Sequence, residues 1–501
     1  MTVQPPVHNF AQNGQITNST AAGKVLLQAE ALVKRDSQAT LEDVCAAAES
    51  WLRTLPKIPT VSGPLMLDQG QSMPFLDAHC QSVSLVDVEY SIGNGLSKPF
   101  FLPWEVQWEV RAFALFDDGC EDGDDGDDDC PSFRQYSLPS TDFHGLWESL
   151  YYDTEVKRRL LRYADSALLF GQLGVNNQLI TSGRLVLLHG PPGTGKTSLS
   201  KALAQKLSIR LNKHYTGTAE LVEVNAHSLF SRWFSESGKL VAKLFEAIKE
   251  KLEEEDALVF VLVDEVESLA AARGAAAGSG EPSDAIRAVN ALLTQLDQLR
   301  SYKNCMILTT SNLTGNIDVA FVDRADIKAY IGPPTVKARY EMLRSSLEEL
   351  VKVGIVQFQR QGVSFPRLED LPAGNVHNGG AAGGIAALAL SDTNNGHNNN
   401  NNLSNGNGHS PMEASSAGVL DNKGNYTTGT EHEESVYLGM KLLHVAENAE
   451  GLSGRALRKL PFLAHASAGF PGGRATAEQF LNAMEVALQE EKSDRQALVQ
   501  S

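Results

Sequence analysis

Arg184-Leu-Val-Leu-Leu-His189-Gly190-Pro191-Pro192-Gly193-Thr194-Gly195-Lys196-Thr197-Ser198 is the stretch whose reading decides the fold. Arg184 to His189 predicts a buried strand, Gly190 to Thr197 completes a G-x-x-x-x-G-K-[ST] loop, and Ser198 to Leu207 predicts a helix. Strand, glycine loop and helix in that order set a phosphate-binding loop apart from a chance glycine turn. Gly190, Gly193 and Gly195 let backbone N–H groups face an anion at the helix N-terminus. Lys196 offers a compact charge to β/γ-phosphates, and Thr197 offers a hydroxyl to Mg²⁺. Pro191, Pro192, Thr194 and Ser198 complete the nucleotide-binding stretch.

Such a loop needs a second magnesium anchor at the tip of a neighbouring strand. Asp264 follows six apolar residues, Leu258 to Val263, which brings its carboxylate out at such a tip. Glu265 comes next and is the candidate general base for an attacking water. An ordinary helix-capping Asp-Glu pair is the competing reading. Asn312 ends another apolar run, Met306 to Thr310, where its amide could orient water or sense the γ-phosphate; taken alone it is a turn asparagine. Arg324 precedes the last strand, the place from which an arginine reaches a neighbouring subunit's nucleotide in ring ATPases. Alone it is a surface salt-bridge residue. Arg455, in Gly451-Leu-Ser-Gly-Arg455, opens a helix and is either a γ-phosphate sensor or a surface arginine. Trp233 and Phe234 are adjacent aromatics in a Ser-rich loop, Ser231 to Gly238. They are either buried anchors or, in a ring, the residues that grip a threaded chain.

A chain of 501 residues is too long for one domain, and 42% apolar residues suffice for real cores. The formal net charge of −18 argues against a nucleic-acid coat. Much of it is local: Asp117 to Asp129 holds nine acidic residues and no basic one. A solvated loop is expected there, since the run lacks the terminal Glu of an EF-hand. Cys45, Cys80, Cys120, Cys130 and Cys305 form an odd, scattered set with no disulfide or zinc framework. With no signal segment and no long apolar run, a soluble intracellular protein is expected.

The expected organisation is a flexible arm at 1–22 and a small α+β domain at 23–136, containing the acidic loop 117–130. A linker at 137–149 and an α/β domain at 150–334 follow. A helical lid at 335–495 carries an Asn/Gly-rich disordered insertion at about 370–434. In the first domain, Lys24 to Leu55 carries helical periodicity, and Val86 to Ile92 and Val106 to Val110 alternate like strands. Apolar runs at 184–189, 220–225, 257–263, 306–310 and 327–331, separated by helices, predict a parallel sheet covered on both faces.

These residues resemble the AAA+ ATPases. More closely, the chain resembles the pachytene checkpoint AAA+ ATPases, the thyroid-receptor-interacting-protein-like remodellers of HORMA-domain proteins. The likeness is carried by Leu187 to Ser198, Ser228 to Lys239, Asp264 to Leu269, Glu281 to Arg287, Ala320 to Lys328 and Gly451 to Phe462. It covers about 140–350 and 435–490. The acidic loop and the Asn/Gly-rich insertion depart from the family pattern. The resemblance implies a P-loop parallel sheet with a helical lid, ATP and Mg²⁺ as cofactors, and a homohexamer. It further implies partial unfolding of HORMA-domain substrates, recruited by the N-terminal domain through a HORMA-fold adaptor. Carried over, Lys196 and Thr197 hold nucleotide, Asp264 magnesium, and Glu265 drives hydrolysis. Asn312 is then the first sensor, Arg324 the inter-subunit finger, Arg455 the lid sensor, and Trp233 with Phe234 the pore grip. Meiotic chromosome-axis control and spindle-checkpoint silencing, in nucleus and cytoplasm, follow from the same likeness.

Three alternatives stand beside it. An AAA+ unfoldase for another substrate would share every motif, though the chain has no H-E-x-x-H protease motif. A nucleotide-gated scaffold would not need Glu265, Arg324 or the Trp233-Phe234 pair. A DNA motor would need a basic stripe that the composition does not supply.

Overall fold

The N-terminal sheet is built around β1 (Val25–Val33). It pairs antiparallel with β4 (Cys80–Val86) and parallel with β6 (Val106–Phe113), while β3 (Gly63–Leu65) edges β4. A two-residue ribbon joins β2 (Ile58–Pro59) to β5 (Phe100–Phe101). The helix Leu41–Leu52 starts at Thr40, whose hydroxyl accepts the Asp43 N–H at 3.1 Å, a standard N-cap. It buries Val44, Ala48, Trp51 and Leu52 against Leu27, Ala29 and Ala31 of β1.

The computed structural model describes residues 24–67, 73–88, 100–122, 133–152, 155–176, 179–180, 182–225, 237–268, 283–312, 319–372 and 429–500. Trp233 and Phe234, acidic residues 123–129 and insertion residues 373–428 lie outside them.

Several expectations for the first half are corrected. Lys24 to Leu55 is not helical throughout, because Val25–Val33 is a strand and the helix begins only at Leu41. Leu27, Ala29, Ala31 and Val33 enter the domain core and alternate with half-buried Gln28 and Glu30, while Leu32 packs with Phe113 and Ile209 on the other side. This period-two stretch is short, and Leu27, Ala31 and Leu32 also fall at helical spacing. Of the strand expected at Val86 to Ile92, Val86 instead closes β4 and Asp87 takes φ +54°, while residues 89–92 lie outside the described residues. Residues 137–149 are not a linker. β7 (Glu121–Asp122) and β8 (Phe133–Leu138) add to the large sheet. Ser140 is clamped by Gln205, whose carboxamide accepts the Ser140 N–H at 2.8 Å and donates to its carbonyl at 2.9 Å.

The large sheet has the order β13-β9-β12-β11-β10-β8-β7. β9 (Leu185–His189), β10 (Ala219–Asn225), β11 (Leu258–Asp264), β12 (Cys305–Ser311) and β13 (Ile327–Tyr330) are mutually parallel; β8 and β7 extend one edge antiparallel. Every residue of β11 before Asp264 is buried, as expected for a strand covered on both faces. The register pairs Asn225 with Asp264 and His189 with Ser311, so these residues share the carboxyl edge, where open α/β sheets bind ligands.

The helix Lys196–Arg210 leaves that edge and is buried along most of its length. Its far end carries the N-terminal sheet. Lys206 pairs with Glu30 at 2.7 Å, Arg111 Nε donates to the Arg210 carbonyl at 3.1 Å, and Asn212 donates to the Ala112 carbonyl at 2.9 Å. Arg111 and Asn212 thus tie the end of this helix to β6.

A second compact unit comprises residues 148–154, 191–195 and 331–501. Its helices are Val336–Lys352, Gly429–Asn448, Gly454–Ala468 and Ala477–Gln500, with β14 (Val356–Gln357) paired to β15 (Ala475–Thr476). Tyr340, Leu343, Leu442, Leu457, Phe480 and Met484 fill its core. Helix begins at Gly429 rather than beyond 434, so the tail of the expected insertion is ordered. Among the described residues no helix is long and apolar enough to cross a membrane.

Candidate active site

His189 ends β9 and the chain turns at Gly190, whose N–H donates to the Ser311 carbonyl at 3.2 Å. Gly193 and Gly195 take φ +75° and +88°, backbone that side chains disfavour. A Cβ on Gly193 would meet Ser453 Oγ at 2.9 Å, and one on Gly195 would meet Tyr152 Oη at 3.0 Å. Both positions therefore need glycine for conformation and for space. Thr194 closes the loop on itself, its hydroxyl donating to the Pro191 carbonyl at 3.0 Å.

Lys196 is 5% exposed, and its ammonium donates to the Gly190 carbonyl at 2.9 Å. Burial pushes its pKa down, against the upward pull of the Glu267, Asp264 and Glu265 carboxylates. Three negative groups thus surround the one lysine. Glu267 was not singled out in the sequence, and its Oε2 is buried without a hydrogen-bond partner among the described residues.

The Thr197 hydroxyl lies 3.0 and 3.2 Å from the two Asp264 oxygens, so these two oxygen-bearing side chains meet at the sheet edge. Thr310, also missed, donates its hydroxyl to Asp264 and accepts the Glu265 N–H at 3.3 Å. Its signal was a pair of threonines inside an otherwise apolar run. Glu265 sits at φ +59°, a left-handed conformation costly for a residue with a side chain. Thr310 holds its N–H, and Ser268 donates to its carbonyl through N–H (3.1 Å) and hydroxyl (2.7 Å). Strain of this kind, over-determined by neighbours, marks functional positions. His189 packs against Tyr330 with its ring tilted, centroids 5.6 Å apart and planes at 56°, and its Nδ1 is buried and unpartnered among the described residues.

The structure brings Lys196, Thr197, Asp264 and Glu265 together at the sheet edge. Asn312 directly follows β12 at that edge, partly exposed. Arg324 lies elsewhere in the same unit, its Nε 3.0 Å from both oxygens of Asp297. Within one protomer it is thus the surface ion-pair residue of the ordinary reading. Arg455 belongs to the helical unit; its N–H donates to the Gly193 carbonyl at 3.1 Å, in a turn capped by Ser453. Trp233 and Phe234 lie outside the described residues.

A glycine loop opening a buried helix, with Thr197 of that helix beside Asp264 at the end of β11, two strands along the sheet from β9, is the arrangement of a P-loop ATPase. The family model for the ATPase family associated with various cellular activities (AAA) matches residues 186–333, and that for the TRIP13-like AAA+ ATPase lid C-terminal domain matches 403–492. The chain is 47% identical over 475 residues to the pachytene checkpoint protein 2 homolog of Oryza sativa subsp. indica, covering 95% of this chain and 89% of that protein. It is 44% identical over 427 residues to the Homo sapiens homolog, covering 85% and 84%. The solved structure of C. elegans PCH-2 superposes with a TM-score of 0.64 at 30% identity, covering 94% of this chain and 100% of that one. The chain belongs to the pachytene checkpoint protein 2 family. It is an ATPase with a parallel α/β sheet, a helical lid and a small N-terminal sheet domain.

Proposed function

We propose that this chain uses ATP hydrolysis to unfold part of a HORMA-domain protein, converting or disassembling its complexes, and that it works as a homohexamer in nucleus and cytoplasm. Family membership supports the substrate class, the adaptor-assisted recruitment by the N-terminal domain, and the setting in meiotic chromosome-axis control and checkpoint silencing. The observation that carries the catalytic part is the Thr197–Asp264 contact with Glu265 adjacent. Two hard oxygen donors 3.0–3.2 Å apart suit Mg²⁺, which when bound supplies charge neutralisation at the β- and γ-phosphates. Lys196 holds those phosphates, Glu265 takes the proton of the attacking water, and Asn312 orients that water. Arg324 stabilises charge at the neighbour's nucleotide, Arg455 reports nucleotide state to the lid, and Trp233 with Phe234 grips the substrate chain.

The test is conversion of a closed HORMA-domain protein to its open form, followed by separation of the two conformers, with ATP and adaptor present. Trp233→Ala is expected to stop conversion while leaving ATP binding intact. Conversion at the wild-type rate would remove the threading step.

A further inference from the structure

We propose that Asp297 is a positioning residue for Arg324, setting the direction in which its guanidinium leaves the protomer; this rests on reading Arg324 as the inter-subunit finger. Arg324 is the last residue of the helix Val319–Arg324, and its Nε lies 3.0 Å from both carboxylate oxygens of Asp297, in the last turn of the helix Ser283–Leu299. Three residues on, Arg300 donates to Asp326 Oδ1 at 2.8 Å. Two ion pairs of opposite sense, Asp297 with Arg324 and Arg300 with Asp326, therefore join the same two segments.

The pairs differ in what else holds them. Asp326 Oδ2 accepts the Leu185 N–H at 3.0 Å, and the Asp326 N–H donates to the Leu185 carbonyl at 2.9 Å. A Cβ on Gly183 would fall 1.8 Å from Asp326, so the chain leaves room for that carboxylate. The backbone beneath Arg324 is thus anchored to β9 through Asp326 without any help from Asp297. The Arg324 and Asp297 side chains are 30% and 43% exposed. An exposed pair contributes little to folding. A long arginine side chain, however, has several rotatable bonds to settle before it can meet a phosphate, and catalysis falls steeply with misplacement. Engaging the Nε edge restrains those torsions and keeps the positive charge.

The experiment measures ATP hydrolysis by the full chain carrying Asp297→Ala or Asp297→Asn, with KM for ATP and thermal midpoint recorded alongside. Asp297→Ala is expected to lower kcat roughly two- to fivefold, the range an exposed pair can supply, with KM and Tm close to wild type. Asp297→Asn keeps an acceptor oxygen for Nε and is expected to recover most of the loss. An unchanged kcat in Asp297→Ala, or a kcat that falls only together with Tm, would overturn the proposal. Arg324→Ala separates the two layers. If it hydrolyses ATP normally, the finger reading fails. If it is inactive while Asp297→Ala behaves as wild type, only the positioning role fails.

Discussion

The Thr310 hydroxyl donates to the Asp264 carboxylate and accepts the Glu265 N–H, so one buried oxygen holds both members of the adjacent acidic pair. Thr310 is 2% exposed. Losing a buried hydrogen bond to a charged group costs about 1.5–3 kcal/mol. Thr310→Val keeps shape and removes both bonds, and kcat is expected to fall on the order of 10- to 100-fold, with ATP affinity changed much less. Thr310→Ser restores the hydroxyl and most of the rate. Steady-state hydrolysis across ATP concentration reads both constants; equal rates for Val and Ser would contradict the assignment.

Glu265 holds its left-handed backbone at the expense of stability. Replacing it with Gly relieves roughly 1–2 kcal/mol of steric cost, less the extra chain entropy of glycine. Glu265→Gly is therefore expected to unfold at higher denaturant than Glu265→Gln, with hydrolysis expected to be lost in both. Denaturation of the two variants side by side decides the point, and a less stable glycine variant would argue against strain at this position.

The pH response is set in part by His189. Burial, and then the Lys196 charge, hold its pKa below the ordinary value of 6.5. The unfolded chain takes up a proton near 6.5 while the folded site resists it, so the unfolded state binds more protons there. Stability from this group is complete above about 6.5 and is lost as pH falls through that value toward the depressed folded one. Urea melts from neutral to mildly acid pH should show a shallower acid-side loss for His189→Gln than for wild type. Parallel profiles would mean that His189 does not titrate differently on folding.

The Lys206–Glu30 pair links the phosphate-binding helix to the N-terminal sheet, with side chains 4% and 13% exposed. Removing one partner takes this contact from a buried charge. Glu30→Ala is expected to destabilise the protein by about 3–5 kcal/mol, and Glu30→Met with Lys206→Met by far less. Equal losses in the single and double variants, measured by chemical denaturation, would show that the charges do not interact.

What was legible in the sequence was what short range dictates. The loop from Gly190 to Thr197 carried its own strand and helix. Asp264 announced itself by ending an apolar run. The lid helices followed from their periodicity. Val25–Val33 reads as a helix because Leu26, Leu27, Ala31 and Leu32 fall at helical spacing, while the alternation through Leu27, Ala29 and Ala31 is only three buried positions long. The sheet role of β8 is hidden because its partner, β10, lies far away in sequence, so its last two residues, Ser137 and Leu138, read as linker and the rest as the end of the first domain. Thr310 and Asp297 were invisible for the same reason: a threonine or an aspartate has no meaning until the fold supplies Asp264 or Arg324 as a neighbour. Arg324 stands out in the sequence by position alone, and its partner Asp297 appears only in the fold.

Steady-state ATP hydrolysis by the purified chain, with and without a HORMA-domain protein and its adaptor, tests the central claim most directly. Glu265→Gln serves as the control. Stimulation by the HORMA-domain protein that disappears in the Glu265→Gln chain is the predicted result. Robust hydrolysis indifferent to HORMA-domain proteins would contradict the claim and leave an ATPase engine with a different substrate.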